Sequence, residues 1–208
     1  MPLYKSITVD EDTHVLIWKI EESFEQLSKG IVLTDHCQQR VDGMKSDIHR
    51  RGFMSIRQLL AIIGYSDQDL YYNDFGKPYL KDGKQISITH SFEFSGIIIS
   101  NKIIGIDIEK QRKKINTIAH KFVTKENEYI SEATSTRMLT VVWAAKESLY
   151  KLYATPGLSF AQHITIHPFE LENPFASGTI SHKNIITDFT ISFIEFEGFT
   201  CAYTLPLL

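Results

Sequence analysis

The chain has 208 residues, of which 43% are hydrophobic and 12% aromatic, a composition typical of a folded globular protein and not of a disordered or fibrous one. Lysine and arginine number 22 and aspartate and glutamate 25, so the formal net charge of −3 argues against a protein held mainly by a nucleic-acid backbone. The N-terminal segment lacks the basic region of a signal peptide, and no apolar run approaches about 18 residues, so we expect neither secretion nor a membrane span. Cys37 and Cys201 stand far apart, which fits a reduced, cytoplasmic protein.

The first part of the chain predicts strands followed by helix. Residues 6–9 and 14–20 are rich in β-branched residues and alternate in polarity on either side of an acidic turn, as strands do. From Thr34 to about Ile63 the apolar spacing becomes helical, and Gly64 then ends the helical region. We therefore expect this part of the chain to open a sheet and then to cover it with helix.

Strands are predicted again between residues 86 and 109. The segments ISITH, GIIIS and IIGIDIE are rich in β-branched residues, and the short turn Asn101–Lys102 separates the last two. This arrangement predicts that the last two strands pair as a hairpin.

The second half predicts helices and then strands. Helical regions run from about Ile115 to Ala133 and from about Thr136 to Ala154, and the remainder alternates like antiparallel strands. Because strands and helices do not alternate regularly along the chain, the pattern favours an α+β fold over a doubly wound parallel sheet.

Two carboxylates share one face of the strand at residues 103–109. Side chains alternate along a strand, so Gly105, Asp107 and Glu109 point one way and the isoleucines point the other way. The two carboxylates are close enough to bind one hard cation, and Gly105 is expected to leave room beside them. A solvated strand end followed by a charged turn explains the same pattern.

A lysine interrupts the apolar stripe of the second predicted helix. Lys146 falls near the middle of a stripe that includes Trp143 and Tyr150, both interpreted as core residues. Burying the ammonium without an anion would be costly, so a partner is expected. Glu147 and Lys151 lie four residues apart at the border of the stripe, a spacing that also suits an ordinary surface pair.

The segments GKPY, ISITHSF, IGIDIEK and WAAKESLYKL, in this order, resemble the 4′-phosphopantetheinyl transferases of the larger, two-repeat (surfactin-synthetase-activating) type. The resemblance implies two similar α+β halves, each a mostly antiparallel sheet packed with a long helix. Residues 1–102 would form the nucleotide side of a coenzyme A site, and residues 103–208 would carry the metal-binding and catalytic residues.

Such enzymes transfer 4′-phosphopantetheine from coenzyme A to a serine of an apo acyl or peptidyl carrier protein and release 3′,5′-ADP. The resemblance therefore implies a Mg²⁺-dependent transferase, with Mn²⁺ as the alternative ion, and with coenzyme A and a carrier protein as its partners. It further implies a cytoplasmic monomer that needs neither nucleic acid nor a membrane.

The resemblance also gives roles to individual residues. Asp107, Glu109 and Glu147 match the metal-binding acids of the family. Glu147 is also the candidate to accept the serine proton, and the sequence leaves base and metal ligand open as alternatives. Lys151 would stabilise the leaving phosphate, and Lys146 would place positive charge near the pyrophosphate.

A second set of residues is predicted to bind the nucleotide. Lys77 and Pro78 match an element that lines the adenylate pocket in the family. Thr89 and His90 match a motif that contacts phosphate, with threonine in place of the family's first serine. Arg57 resembles a basic residue that is directed at the 3′-phosphate.

Several assignments stay open in the sequence. Arg50 and Arg51 are rivals of Arg57, and Glu126 and Glu128 both fit a further acid of the family, so neither acid is given a role.

The basic run at residues 110–114 is interpreted either as a docking surface for an acidic carrier protein or as a charged solvated turn. Two other functions also stay open. One is a coenzyme A-binding scaffold without turnover, and the other is a metal-dependent phosphoesterase, since carboxylates and lysines are common to phosphoryl chemistry. The sequence does not identify the preferred carrier.

Overall fold

The computed structural model describes residues 3–207, and the chain divides into two compact units, of which the first extends to Asn101 and the second begins at Lys102. Each unit contains an antiparallel sheet that packs against a long helix. The predicted α+β fold class is therefore confirmed.

The first unit consists of a six-stranded antiparallel sheet and three helices. Its strands are β1 (Leu3–Thr8), β2 (His14–Lys19), β3 (Leu70–Tyr72), β4 (Pro78–Leu80), β5 (Gln85–Ser91) and β6 (Phe94–Ser100). Its helices are α1 (Phe24–Ser28), α2 (Asp35–Asp42) and α3 (Asp47–Ile62). The strands follow the order β1-β2-β6-β5-β4-β3, and α3 packs against β2, β5 and β6.

The helix boundaries of the first unit follow the predicted signals. Thr34 caps α2 because its hydroxyl accepts the backbone N–H of Cys37 at 3.3 Å. Gly64, just beyond the end of α3, has a φ of +83°, a conformation that glycine adopts at little cost. Between these points the buried residues of α3, including Leu59 and Leu60, form the core with the sheet.

The second unit has a five-stranded antiparallel sheet and a 19-residue helix. Its strands are β7 (Gly105–Lys110), β8 (Ile164–Ile166), β9 (Phe175–His182), β10 (Ile185–Phe196) and β11 (Phe199–Pro206). Its helices are α4 (Lys114–Ile118), α5 (Ser135–Tyr153) and α6 (Phe160–His163). The strand order is β7-β11-β10-β9-β8, and α5 contacts β7, β11, β8 and β10.

Two details differ from the sequence prediction. The expected helix at residues 115–133 is broken into α4 and short 3₁₀ turns at 119–121, 125–128 and 132–134. The expected hairpin of β6 and β7 is wrong, because β6 pairs with β2 and β5, whereas β7 pairs with β11 in the other sheet. Turn residues at 101–102 therefore mark the passage from one unit to the next.

Within residues 3–207, no helix is both long enough and apolar enough to cross a membrane.

Candidate active site

A close contact between β7 and α5 builds the site in the second unit. A Cβ atom at Gly105 would lie 1.9 Å from the carbonyl oxygen of Ser148, so only glycine lets the strand and helix approach this far. The expectation that Gly105 leaves open space beside the carboxylates is therefore wrong, because the backbone of α5 fills that space. The approach instead brings the acidic face of β7 against α5.

Asp107 and Glu109 both meet side chains of α5. The buried carboxylate of Asp107 accepts a hydrogen bond from the Lys151 ammonium, with 2.7 Å between Oδ1 and Nζ. The same ammonium donates to the backbone carbonyl of Ile106 at 3.0 Å. The indole N–H of Trp143 donates to Oε1 of Glu109 at 2.9 Å. Strand and helix thus hold the first acids of the site in fixed positions.

Burial and mutual repulsion perturb the carboxyl groups of this cluster. Loss of solvation, together with the negative charge of Asp107, raises the pKa of Glu109 to about 7, against the opposing effects of Trp143 and Lys151. Loss of solvation also raises the pKa of Glu147 to about 7, with the same contribution from Asp107. Asp107, Glu109 and Glu147 therefore form one electrostatically coupled group with excess negative charge.

This group has the chemistry of a divalent cation site. Carboxylate oxygens are the ligands that Mg²⁺ prefers, and like-charged acids so close to one another are stabilised by a cation. Among residues 3–207, no three His, Cys, Asp or Glu side chains are already arranged around a common metal position. The three acids fit the ion by their charge and donor type, while Lys151 holds one of them.

Lys146 is placed differently from the sequence prediction. Its ammonium is fully buried 2.6 Å from Oε1 of Glu126, and it also donates to the carbonyl oxygens of Phe122 at 2.6 Å and Ile164 at 2.7 Å. Glu126 in turn accepts the backbone N–H groups of Thr124 and Ile166, both at 3.0 Å.

These contacts explain the lysine in the apolar stripe as half of a buried ion pair inside the unit, and not as a pyrophosphate contact. They also separate the two acids that the sequence left open, because Glu126 is buried in this pair whereas Glu128 is exposed. The core interpretation holds in part for Trp143, which is half-buried against the core, and is wrong for Tyr150, which is 39% exposed.

A cavity of about 350 Å³ lies in the first unit, between α2, α3 and the sheet. Pro78 and His90, both predicted nucleotide-binding residues, line this cavity. Lys77 is half-buried beside Pro78, and burial lowers the pKa of its ammonium. Thr89 is buried on β5. Two of the residues predicted to bind the nucleotide, Pro78 and His90, therefore lie at one cavity.

His90 packs tightly against α3. A Cβ atom at Gly52 would lie 2.6 Å from Cδ2 of His90, so the glycine of this helix makes room for the imidazole ring. The ring of His49 stands edge-on to that of His90, with 5.8 Å between the ring centroids. Both histidines line the cavity, and His49 was not singled out in the sequence.

Arg57, predicted for the 3′-phosphate, and its rivals Arg50 and Arg51 are held by other groups. Arg57 also lines the cavity, but it is only 3% exposed, and its Nε donates to Oδ1 of Asp67 at 2.9 Å. Arg51 donates to the carbonyl oxygen of Glu22 at 2.7 Å, and Arg50 stacks on the ring of Phe24 at 3.9 Å. These contacts favour structural roles for all three.

Arg40 is a further arginine at the cavity, and no role was predicted for it. It lies on α2, is exposed, and lines the cavity with its guanidinium 5.2 Å from the ring centroid of Tyr72. Within the described residues it forms no ion pair, so its charge is available at the cavity wall. Arg40 lies inside the helical region predicted at residues 34–63, and helical spacing alone does not show what one of its residues faces.

Residues 103–204 match the family described as ACPS, 4′-phosphopantetheinyl transferase superfamily. The matched residues make up nearly all of the second unit, and the resemblance predicted from the motifs is confirmed. The chain is also similar to a protein named 4′-phosphopantetheinyl transferase gsp from Aneurinibacillus migulanus, with 29% identity over 160 residues. The matched region covers 73% of this chain and 65% of the relative, which is less than two thirds of the relative's length.

Proposed function

We propose that the protein transfers 4′-phosphopantetheine from coenzyme A to a serine of an apo acyl or peptidyl carrier protein, with release of 3′,5′-ADP. The observation that carries this proposal is the cluster of Asp107, Glu109, Glu147 and Lys151 at the contact of β7 and α5. This cluster lies in the segment that matches the superfamily, and the related protein bears the name of this activity.

Asp107, Glu109 and Glu147 would hold Mg²⁺, or Mn²⁺ as the alternative. A bound divalent cation would neutralise the charge of the coenzyme A pyrophosphate and act on it as a Lewis acid. Burial, and then the negative charge of Asp107, raise the pKa values of Glu109 and Glu147, and a bound cation would stabilise the charged form of both carboxylates, which supports this assignment.

Glu147 is also suited to accept the proton of the carrier serine. A general base works best when its pKa lies near the working pH, and burial raises the pKa of Glu147 to about 7. Lys151, one helical turn further along α5, would place its ammonium on the leaving phosphate. Its side chain is 29% exposed, so a ligand can reach this residue from solvent.

We propose that the cavity of the first unit binds the phosphorylated nucleoside of coenzyme A. Aromatic and aliphatic walls suit a base, and Arg40, His49 and His90 supply groups that bind phosphate. Arg40 takes the place that the sequence assigned to Arg57, because Arg57 is paired with Asp67. Residues 1–102 would thus serve the nucleotide and residues 103–208 the chemistry.

The basic segment after β7 is proposed to meet the carrier protein. Arg112, Lys113 and Lys114 are exposed, whereas Gln111 is fixed by a hydrogen bond of its side chain to Thr200 at 3.1 Å. The segment is thus anchored at Gln111 and exposes positive charge at residues 112–114, which suits a negatively charged partner. A monomeric state and a cytoplasmic location belong to the same proposal, since the reaction needs coenzyme A and a carrier protein and no second copy of this chain.

The assignment of catalytic groups is tested by substitution of single acids. The variants Asp107→Ala and Glu147→Gln are incubated with coenzyme A, Mg²⁺ and a panel of apo carriers, and the carriers are weighed by intact-protein mass spectrometry. We expect the wild type to add one phosphopantetheine group and both variants to lose at least about a hundredfold in rate. Glu128→Gln, which changes an exposed acid of the same unit, serves as the matched control. Normal modification by either site variant would contradict the assignment.

A further inference from the structure

We propose that Lys151 acts as a built-in counter-ion that holds Asp107 in the metal-free protein and must leave it when a divalent cation binds. This inference rests on the proposed function and concerns the order of events at the same site. The step is an exchange at Asp107, in which the Lys151 ammonium moves away and the divalent cation takes its place.

Lys151 contacts β7 at two points. Its Nζ lies 2.7 Å from Oδ1 of Asp107 and 3.0 Å from the carbonyl oxygen of Ile106. Both acceptors belong to β7, so the ammonium bridges α5 to the strand that carries the acids. A divalent cation that binds Asp107 would share one carboxylate with the ammonium, which already occupies Oδ1, and two cations so close repel each other.

The helix that carries Lys151 is fixed against the strand. Because the carbonyl of Ser148 lies where a Cβ atom of residue 105 would be, α5 is packed against β7 and has no space to approach further. Lys151, in contrast, has four methylene groups and a side chain that is 29% exposed. The exchange is therefore a rotation of the lysine side chain toward solvent, with strand and helix unchanged.

The freed ammonium has a use in the proposed reaction. Once Lys151 leaves Asp107, its charge is available to the phosphate of a bound ligand, which is the role proposed for it. Arrival of the cation and release of the lysine are then coupled, so the lysine is delivered to the phosphate only when the site holds its ion. In the absence of the ion, the same contact keeps a buried carboxylate paired.

Binding of Mn²⁺ alone, without coenzyme A or carrier, tests this exchange by isothermal titration calorimetry. Lys151→Met removes the competing charge and should bind Mn²⁺ about tenfold more tightly than the wild type or better, a change equivalent to about 1.4 kcal/mol. Lys151→Arg keeps a cation and should not tighten binding. Lys121→Met, which removes an exposed lysine of the same unit, controls for the change in net charge. Equal or weaker binding by Lys151→Met would overturn the proposal.

A second measurement needs no variant and covers the case in which Lys151→Met does not fold. The ¹⁵N-labelled ammonium group of Lys151 should give a protected NMR signal in the metal-free wild type and lose that protection when Mg²⁺ is added. A signal that Mg²⁺ leaves unchanged would overturn the exchange. If the signal stays unchanged but the wild type still modifies the carrier, the proposed function is supported and only the exchange is wrong. If Lys151→Met binds Mn²⁺ more tightly but no carrier is modified, the exchange is supported and the proposed transfer is wrong.

Discussion

Replacing Lys146 by methionine removes one half of a fully buried ion pair. The ammonium lies 2.6 Å from Glu126, and both side chains are completely shielded from solvent. The variant leaves the Glu126 carboxylate buried with only the backbone N–H groups of Thr124 and Ile166 as partners. Breaking such a pair costs about 3–5 kcal/mol, a large part of the roughly 5–15 kcal/mol by which a folded domain is stable.

Urea unfolding of the wild type, the two single variants and the double variant measures this cost. We expect Lys146→Met and Glu126→Gln each to lower the free energy of unfolding by about 3–5 kcal/mol. The double variant should recover part of that loss, because it removes both charges. The recovery is incomplete because the N–H groups of Thr124 and Ile166 bind different oxygens of Glu126, and a glutamine has one oxygen and an NH2 group in their place. At temperatures where it is folded, Lys146→Met should bind coenzyme A as the wild type does. A Lys146→Met protein with wild-type stability and impaired coenzyme A binding would refute the structural role.

Three further predictions concern pH, a turn and the nucleotide cavity. The pKa of Glu109 and that of Glu147 are each about 7 in the folded protein, above the ordinary value of 4.5. Protonation of these groups therefore stabilises the fold, fully below pH 4.5, and this stabilisation is lost as the pH rises through 7. Urea unfolding of the metal-free protein should therefore show stability falling between pH 5 and 8, by up to about 3 kcal/mol per group, and a rising or flat profile would contradict the assignment. Phe92 has a φ of 52° in the turn between β5 and β6, so Phe92→Gly should raise the free energy of unfolding by about 1 kcal/mol, and a loss of stability would show that the ring's contacts outweigh the strain. Arg40→Met should raise the KM for coenzyme A about tenfold with unchanged urea unfolding, because a charge-assisted contact to phosphate is lost, and an unchanged KM would remove Arg40 from the site.

Periodicity and capping predicted much of the fold. The helical spacing of residues 136–154 and the alternation of residues 103–109 depend on local chemistry, so both elements appear where the sequence places them. The partner of β7 could not be predicted in this way. Strand pairing is decided by which faces must be buried, and a short turn at 101–102 looks the same whether it closes a hairpin or joins two units.

The site was predicted where it depends on local alternation and missed where it depends on contacts between distant segments. Alternation brings Asp107 and Glu109 to one face, and the structure shows that this face meets α5. The partner of Lys146 was missed because Glu126 lies in a 3₁₀ turn twenty residues earlier, with no periodic signal to link the two. The ion pair of Arg57 was missed because its buried partner, Asp67, lies ten residues further along the chain, beyond the end of the helix.

The central claim is tested most directly by measuring both products of the proposed reaction in one mixture. Wild-type protein, coenzyme A, Mg²⁺ and an apo carrier are incubated, and modified carrier and 3′,5′-ADP are quantified over time. The transferase account predicts that the two products appear in equal amounts and that neither appears without the carrier. Release of 3′,5′-ADP at the same rate without carrier, or saturable coenzyme A binding with no modified carrier from any of the panel, would contradict it.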